Sequence, residues 1–204
     1  MIEAASLKDE YFIVLTLKGK VARVANRVQR LIAEHYELYN GGDYPVLHVT
    51  IDRIDKNRID DAIKILNEII QDLDPIKLAI EEINCFEVSD GEHLLLLDVK
   101  NTSSLLSSAQ FIHDEFTEDN ISTINNYDDW NFHITIINNY FATNPISKED
   151  FSDVKYLLEN FKVPVNSYAD KLEIWQASLQ PDERVVKSYD LAEDKKLSGG
   201  EKNE

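Results

Sequence analysis

The sequence has little cysteine, and this scarcity excludes several kinds of site. Cys85 is the only cysteine among 204 residues, so we expect no internal disulfide and no cluster of thiolate metal ligands. No apolar run approaches the roughly 20 residues that a membrane-spanning helix requires. The first residues combine neither a basic start nor an apolar centre, so we expect no signal peptide and a cytoplasmic protein without a membrane partner.

Positive charge is also scarce. The chain carries 21 basic residues against 38 acidic ones, a formal net charge of −17. Proteins that bind duplex DNA or RNA neutralise many phosphates and usually present a basic surface, so we expect no duplex partner. A small nucleotide or an RNA end is a more compatible ligand if a local positive pocket receives it. Lys18 and Lys100 follow two predicted strands and are candidates for that pocket, although both also fit plain surface lysines.

The few glycines form none of the motifs that mark common nucleotide and acyl-transfer sites. The chain contains no P-loop, no dinucleotide-binding turn and no nucleophile elbow. With 43% hydrophobic and 29% charged residues, its composition is that of an ordinary folded domain. Residues 193–204 are charged and lack apolar periodicity, so we expect a disordered tail there. We therefore assign residues 1–192 to one folded domain, and we expect a monomer.

Two short segments of the chain share one pattern of side chains. The first contains His48 and Thr50 and the second contains His133 and Thr135, and the positions between and beside these residues are apolar. Such alternation is typical of a strand with one buried and one exposed face. Each strand therefore presents an imidazole and a hydroxyl side by side. Because histidine changes charge near neutral pH, this pairing suits proton transfer at a phosphate.

The two motifs belong to a longer internal repeat. His48 and His133 lie 85 positions apart, and an offset of 82 aligns the strand-like segments that precede them. We expect the repeat to cover about 10–90 and 92–180, each half with the order strand, helix, motif strand, helix, strand. The predicted elements are 11–17, 20–38, 46–52, 58–73 and 77–88 in the first half, and 93–99, 102–117, 132–138, 147–161 and 163–179 in the second. Strand–helix units look alike in many proteins, but core packing does not require a duplicated polar pair.

Duplicated units usually pair about a pseudo-two-fold axis, as identical subunits do in a dimer. We therefore predict an α+β fold of two pseudo-symmetric lobes, each an antiparallel-rich sheet backed by helices, around a central groove. Residues 37–45 and 117–131 precede the motif strands and are predicted to form its rim. Tyr44 and Trp130 could stack on a base there, although ordinary mobile connections explain these loops equally well.

The paired motifs in a duplicated α+β chain resemble the 2H phosphoesterase superfamily, which includes 2'-5' RNA ligase-like proteins and 2',3'-cyclic nucleotide phosphodiesterases. The resemblance covers about 11–191. It implies a phosphodiesterase without metal or cofactor, acting on 2',3'-cyclic phosphates or 2'-5' bonds of a nucleotide or RNA end, with reversible 2'-5' ligation as a related activity. By this resemblance His48 and His133 are the catalytic pair, and Thr50 and Thr135 contact the phosphate. The sequence does not say which histidine is the acid.

Other interpretations of these residues stay open. A zinc or iron site could combine both motif histidines with Asp52, which the alternation places on the face of His48. The groove could also bind a nucleotide or RNA end without turnover, or could degrade cyclic oligonucleotide signals. The remaining histidines and the cysteine are predicted to be structural: His35, His93, His113 and Cys85.

Overall fold

Strands and helices alternate along the chain in this computed structural model, which describes residues 5–40, 44–87, 93–158, 161 and 164–191. The strands are β1 (Glu10–Leu17), β2 (His48–Asp55), β3 (Lys77–Glu87), β4 (His93–Val99), β5 (His133–Ile137), β6 (Val165–Trp175) and β7 (Val185–Asp190). The helices are α1 (Gly19–His35), α2 (Ile59–Ile69), α3 (Ser103–Glu118), α4 (Lys148–Leu158) and α5 (Pro181–Arg184). The predicted tail, 193–204, lies outside the described residues.

The predicted α+β class is confirmed, and the ten predicted elements lie within a few residues of those in the structure. The chain differs at its end, where the predicted strand 163–179 stops at Trp175. Pro181 then starts the short helix α5, a position where its missing N–H costs nothing. The chain returns as β7, a strand that the alternation of apolar residues did not predict.

The starts of helices α1 and α3 have clear local causes. Gly19 starts α1 with a φ of 62°, a conformation that favours glycine. A Cβ at this position would meet the Ser167 side chain at 3.4 Å. The Thr102 hydroxyl caps α3 by accepting a hydrogen bond from the Leu105 N–H at 3.3 Å. Both helices bury residues spaced three or four apart, so each presents one apolar face to the sheet.

All strands pair antiparallel in one sheet of order β1-β2-β5-β4-β3-β6-β7, and β1 also pairs with β6. Six strands thus form a closed ring, to which β7 is added. The third strand of each half pairs with the first strand of the other half, β3 with β4 and β6 with β1. The halves are therefore interlocked by strand exchange, an arrangement that the predicted order of elements did not contain.

The helices follow the same symmetry as the strands. Helix α1 packs on β5 and β6, while α3 packs on β2 and β3. Exchanging the first and second halves leaves this order of contacts unchanged, and the internal repeat itself stays a prediction. Within the described residues, no helix is both long and apolar enough to cross a membrane.

Candidate active site

The motif strands β2 and β5 are neighbours in the sheet and pair at Val49 and Ile134. Both of these residues are fully buried, so their side chains point into the core. The four predicted site residues flank this pair on the opposite face, and each is partly exposed: His48, Thr50, His133 and Thr135. The register therefore brings all four side chains together.

The same register sets the arrangement within this group. In an antiparallel ladder anchored at Val49 and Ile134, His48 lies across from Thr135 and Thr50 lies across from His133. Directly opposite Cβ atoms in such a ladder are roughly 4.5–5.5 Å apart, and diagonal neighbours are roughly 7–8 Å apart. The two imidazoles are thus diagonal, with a hydroxyl beside each one. A phosphate is small enough to contact all four groups from the open side of the sheet.

Both motif histidines make the same local hydrogen bond. Nδ1 of His48 lies 2.9 Å from the carbonyl oxygen of Val46, and Nδ1 of His133 lies 2.9 Å from that of Asn131. A carbonyl oxygen only accepts hydrogen bonds, so Nδ1 carries the proton in each ring. In the neutral form Nε2 is then the basic nitrogen. The backbone therefore orients both rings for proton transfer through Nε2.

The two rings differ in what surrounds them, and His48 lies in an aromatic environment. Its ring packs on Trp175 with centroids 4.6 Å apart and planes inclined by 58°. The Trp175 indole N–H donates to the Glu173 carboxylate at 2.6 Å. The guanidinium of Arg184 covers the same indole, with its central carbon 4.8 Å from the ring centre. His48 therefore has an indole beside it and a cation packed on that same indole.

This environment changes the protonation of His48. Burial lowers the pKa of His48 to about 4, although the Val46 hydrogen bond raises it. The positive charges of His133 and Arg184 lower this pKa further. His48 is therefore neutral at pH 7 and can accept a proton.

His133 faces a carboxylate instead. Its partner in the neighbouring strand is Asp98, whose carboxylate accepts a hydrogen bond from the Asn84 side-chain amide. Burial raises the pKa of Asp98, and so do the nearby carboxylates of Glu82 and Glu81. The Asn84 hydrogen bond and the charge of a protonated His133 lower it. An anion therefore lies beside His133, where His48 has a cation nearby.

Asp52 does not lie where the alternation placed it, so that prediction was wrong. A β-bulge at Ile51 shifts the register between β1 and β2, and Asp52 turns to the other side of the sheet. There it is fully buried, with Oδ2 2.9 Å from Nδ1 of His113 and Oδ1 accepting from the Ser122 hydroxyl at 2.7 Å. In the part of the chain that the structure describes, no three His, Cys, Asp or Glu side chains are grouped to hold a metal.

Of the other histidines and lysines singled out in the sequence, those that the structure describes are buried, exposed or paired with a carboxylate. His113 is buried and hydrogen-bonded, in agreement with its predicted structural role, and His35 is exposed on α1. The side chains of Cys85 and His93 lie outside the described residues. The two candidate lysines each pair with a carboxylate on a neighbouring strand, Lys18 with Asp170 at 3.4 Å and Lys100 with Glu81 at 3.2 Å.

The segment 117–131, predicted as a rim loop, runs along the edge of β2 next to the motif. The Tyr127 hydroxyl donates to the Ile51 carbonyl at 2.7 Å, and the Trp130 indole N–H donates to the Thr50 carbonyl at 3.2 Å. These bonds fix Trp130 close to the motif threonine. Its stacking on a base stays a prediction.

Tyr44, the other predicted stacking residue, lines a cavity of about 220 Å³ at the start of β2. Val46 and Arg30 also line this cavity, whereas neither motif histidine does. The Tyr44 ring meets Tyr39 edge to face, with centroids 5.7 Å apart. Its predicted contact with a base also stays a prediction.

Sequence reasoning missed three side chains beside the motif histidines: Asp98, Trp175 and Arg184. The offset of 82 aligns Asp98 with Thr16, but only the pairing of β4 with β5 shows that Asp98 lies next to the second motif. No pattern in the sequence points to the other two, since they reach His48 only through the pairing of β6 with β1 and β7.

Comparison with known proteins identifies relatives of this arrangement. The family model described as "AKAP7 2'5' RNA ligase-like domain" matches residues 11–171. No curated protein sequence matches the chain at a significant level. Among solved structures, TT0787 of Thermus thermophilus has a TM-score of 0.58 and 13% identity, over 89% of this chain and 97% of that one.

Two further structures are similar. LigT of E. coli, complexed with 3'-AMP, has a TM-score of 0.51 and 11% identity, covering 91% of this chain and 99% of that one. Usb1 of Kluyveromyces marxianus, with uridine monophosphate, has a TM-score of 0.51 and 10% identity over the same shares. At such identities the likeness shows a common fold.

Proposed function

Because the chain belongs to the AKAP7 2'5' RNA ligase-like domain family, within the 2H phosphoesterase superfamily, we propose that it hydrolyses a 2',3'-cyclic phosphate or a 2'-5' phosphodiester of a nucleotide or RNA end. Family membership supports phosphodiester chemistry in general. The observation that carries the specific proposal is the register of β2 and β5, which brings His48, Thr50, His133 and Thr135 together.

We assign the base to His48 and the acid to His133. Neutral His48 takes a proton from the attacking water through Nε2 as the water oxygen bonds to phosphorus. Protonated His133 gives a proton to the departing ribose oxygen as its bond to phosphorus breaks. Each of these transfers contributes about 10²–10⁴ in rate. The lowered pKa of His48 and the carboxylate of Asp98 beside His133 support this division.

The threonines are assigned to the phosphate itself. Negative charge builds on the non-bridging oxygens as the water attacks, and hydroxyl donors held in place stabilise it. Thr50 and Thr135 come from different strands and flank the diagonal histidines, so each can reach a different oxygen. Since two imidazoles supply both proton transfers, we propose a reaction that needs no metal or other cofactor.

The substrate class is supported by what relatives bind. The LigT and Usb1 structures hold 3'-AMP and uridine monophosphate, respectively. A ligand of this size requires no extended basic surface, which agrees with the net charge of −17. Hydrolysis of cyclic oligonucleotide signals would use the same four side chains, and so would binding without turnover.

Purified protein in EDTA should therefore be assayed with 2',3'-cyclic nucleotides, 2'-5'-linked dinucleotides and cyclic dinucleotides. We expect turnover of one of the first two classes, and a loss of about 10³-fold in kcat for either His48→Ala or His133→Ala. Circular dichroism should show the fold unchanged, and His35→Ala, an exposed histidine, should keep full activity.

Three results would lead to other conclusions. Full activity in both motif variants would overturn the catalytic assignment. Turnover of cyclic dinucleotides alone would favour a role in signal degradation. Tight binding of a nucleotide without turnover would identify a binding module.

A further inference from the structure

The segment after β6 brings one further side chain close to His48. Arg184, the last residue of α5, comes immediately before Val185, which pairs with Trp175 in the ladder of β6 and β7. This pairing places the Arg184 side chain over Trp175, on the indole that also packs on His48. The guanidinium and the proposed base therefore pack on the same indole.

Arg184 is held by stacking and not by an acidic partner. The carboxylate of Glu173 is close enough to act on the pKa of Arg184, which it raises. The two oxygens of Glu173 already accept hydrogen bonds, one from the Trp175 indole at 2.6 Å and one from the Ser188 hydroxyl at 2.7 Å. Among the described residues, Arg184 forms no ion pair, and its Nε is buried without a hydrogen-bond partner.

This arrangement suits the binding of a phosphate. A guanidinium has five N–H donors in a planar fork that matches the oxygens of a phosphate. Stacking on an indole holds the fork in place without occupying those donors. Arg184 thus offers directed donors and a positive charge near His48, in a protein with a net charge of −17.

We propose that Arg184 binds a second phosphate of the substrate, one ribose away from the phosphate that the motif residues hold. This inference rests on the proposed function. Successive phosphates of a ribonucleotide are separated by one sugar. Arg184 and His48 are close enough together for such a spacing, because both pack on the Trp175 indole, 4.8 and 4.6 Å from its ring centre. The substrate class is therefore a nucleotide with two phosphates, the second being either a 5'-phosphate or the phosphate of the next nucleotide.

The test compares three substrates: adenosine 2',3'-cyclic phosphate, its 5'-phosphorylated form, and a diadenosine that ends in a 2',3'-cyclic phosphate. We expect the wild-type kcat/KM to be higher for a substrate with a second phosphate. Arg184→Gln should reduce this preference by about 10- to 100-fold, because a charge-assisted hydrogen bond is lost. The preference of Arg184→Lys should lie between that of the wild type and that of Arg184→Gln, since lysine keeps the charge but not the planar fork. Whichever substrate loses its advantage identifies the source of the second phosphate.

A matched control comes from α1. Arg27 is exposed and stacks on Phe161 at 5.2 Å, so Arg27→Gln removes a similar stacked cation elsewhere. This variant should keep the wild-type preference. Thermal unfolding of each variant checks that the fold persists. An equal fall in kcat/KM for all three substrates, or an unchanged preference, in Arg184→Gln would overturn the proposal.

A failure of the proposed function can be recognised separately. If the wild type turns over none of the three substrates, the proposed function fails, and calorimetric titration then decides the role of Arg184. The ligands would be adenosine 3'-monophosphate and adenosine 3',5'-bisphosphate. Tighter binding of the bisphosphate that disappears in Arg184→Gln supports the second-phosphate site, and equal binding of both ligands by the wild type overturns it.

Discussion

His48 and His133 occupy matching places in β2 and β5, and both donate Nδ1–H to a carbonyl two residues earlier, yet their neighbours differ. Across the ladder His48 meets Thr16 of β1, whereas His133 meets Asp98 of β4. One histidine therefore faces a neutral hydroxyl and the other faces a carboxylate. The backbone around the two histidines is thus nearly symmetric, but the charges beside them differ.

The strands β6 and β3 increase this difference between the surroundings of His48 and His133. Beside β1, β6 brings Trp175 onto the ring of His48 and uses Glu173 to hold the indole. Beside β4, β3 brings Asn84 to Asp98, whose carboxylate it holds by a hydrogen bond. The strands β2 and β5 thus provide two matching positions, and the third strands give each position different side chains. Two titratable groups in contrasting surroundings are the usual basis for separate acid and base roles.

The two histidines should differ most when the leaving group needs no acid. A ribose oxygen requires a proton to leave, whereas nitrophenolate leaves without one. On a 2',3'-cyclic nucleotide, both His48→Ala and His133→Ala should lose about 10²–10⁴ in kcat. On a nucleoside nitrophenyl phosphodiester, His133→Ala should lose less than about 10-fold, while His48→Ala should lose as much as before.

Steady-state assays of both variants on both substrates make this measurement. Thr102→Ser, which keeps the cap hydroxyl of α3 far along the chain from both motifs, serves as the control and should behave as wild type. The division of roles would be contradicted if the two histidine variants lost the same factor on both substrates. A reversed pattern would make His48 the acid.

How much of this site the sequence could predict depends on the kind of interaction. Alternation alone placed His48 and Thr50 on one face, because successive side chains in any strand point to opposite sides. The same rule failed for Asp52, since the bulge at Ile51 inserts one extra residue and no sequence pattern marks it. Alternation therefore predicts which face of a strand each side chain occupies, except beyond a β-bulge.

Contacts between distant strands were beyond such reasoning. Patterns of apolar residues identify strands but not which strands pair, so they could not show that β6 crosses to β1 and brings Trp175 to His48. The strand β7 escaped prediction because only Tyr189 within it is buried, which leaves no alternation to detect. Arg184 was missed for the same reason, since its place over Trp175 depends on that strand.

The surroundings of His48 should also affect how the stability of the fold depends on pH. Burial lowers the pKa of His48 to about 4 in the folded chain, against an ordinary value of 6.5. Below pH 6.5 the unfolded chain binds a proton that the folded chain does not, so stability is complete above 6.5 and falls as the pH drops towards 4. His48 alone should remove about 2–3 kcal/mol of the free energy of unfolding between pH 7 and pH 4.

Urea unfolding of the wild type and His48→Gln at several pH values separates this contribution from that of the carboxylates. The variant should lose less stability than the wild type on acidification, and His35→Gln, at an exposed position, should follow the wild type. Parallel curves for wild type and His48→Gln would show that His48 titrates normally and is not held neutral by its surroundings.

Removing the charge of the carboxylate beside His133 should reduce activity only slightly. Asp98→Asn keeps the shape of the side chain and can still accept the Asn84 hydrogen bond, but it removes the negative charge that attracts a protonated imidazole. Losing one partly exposed charge interaction of about 1 kcal/mol should lower kcat roughly fivefold. Asp170→Asn, in the surface pair with Lys18, should leave kcat unchanged. An unchanged kcat in Asp98→Asn would show that the carboxylate does not assist the acid, whereas a loss as large as that of His133→Ala would mean that Asp98 itself takes part in proton transfer.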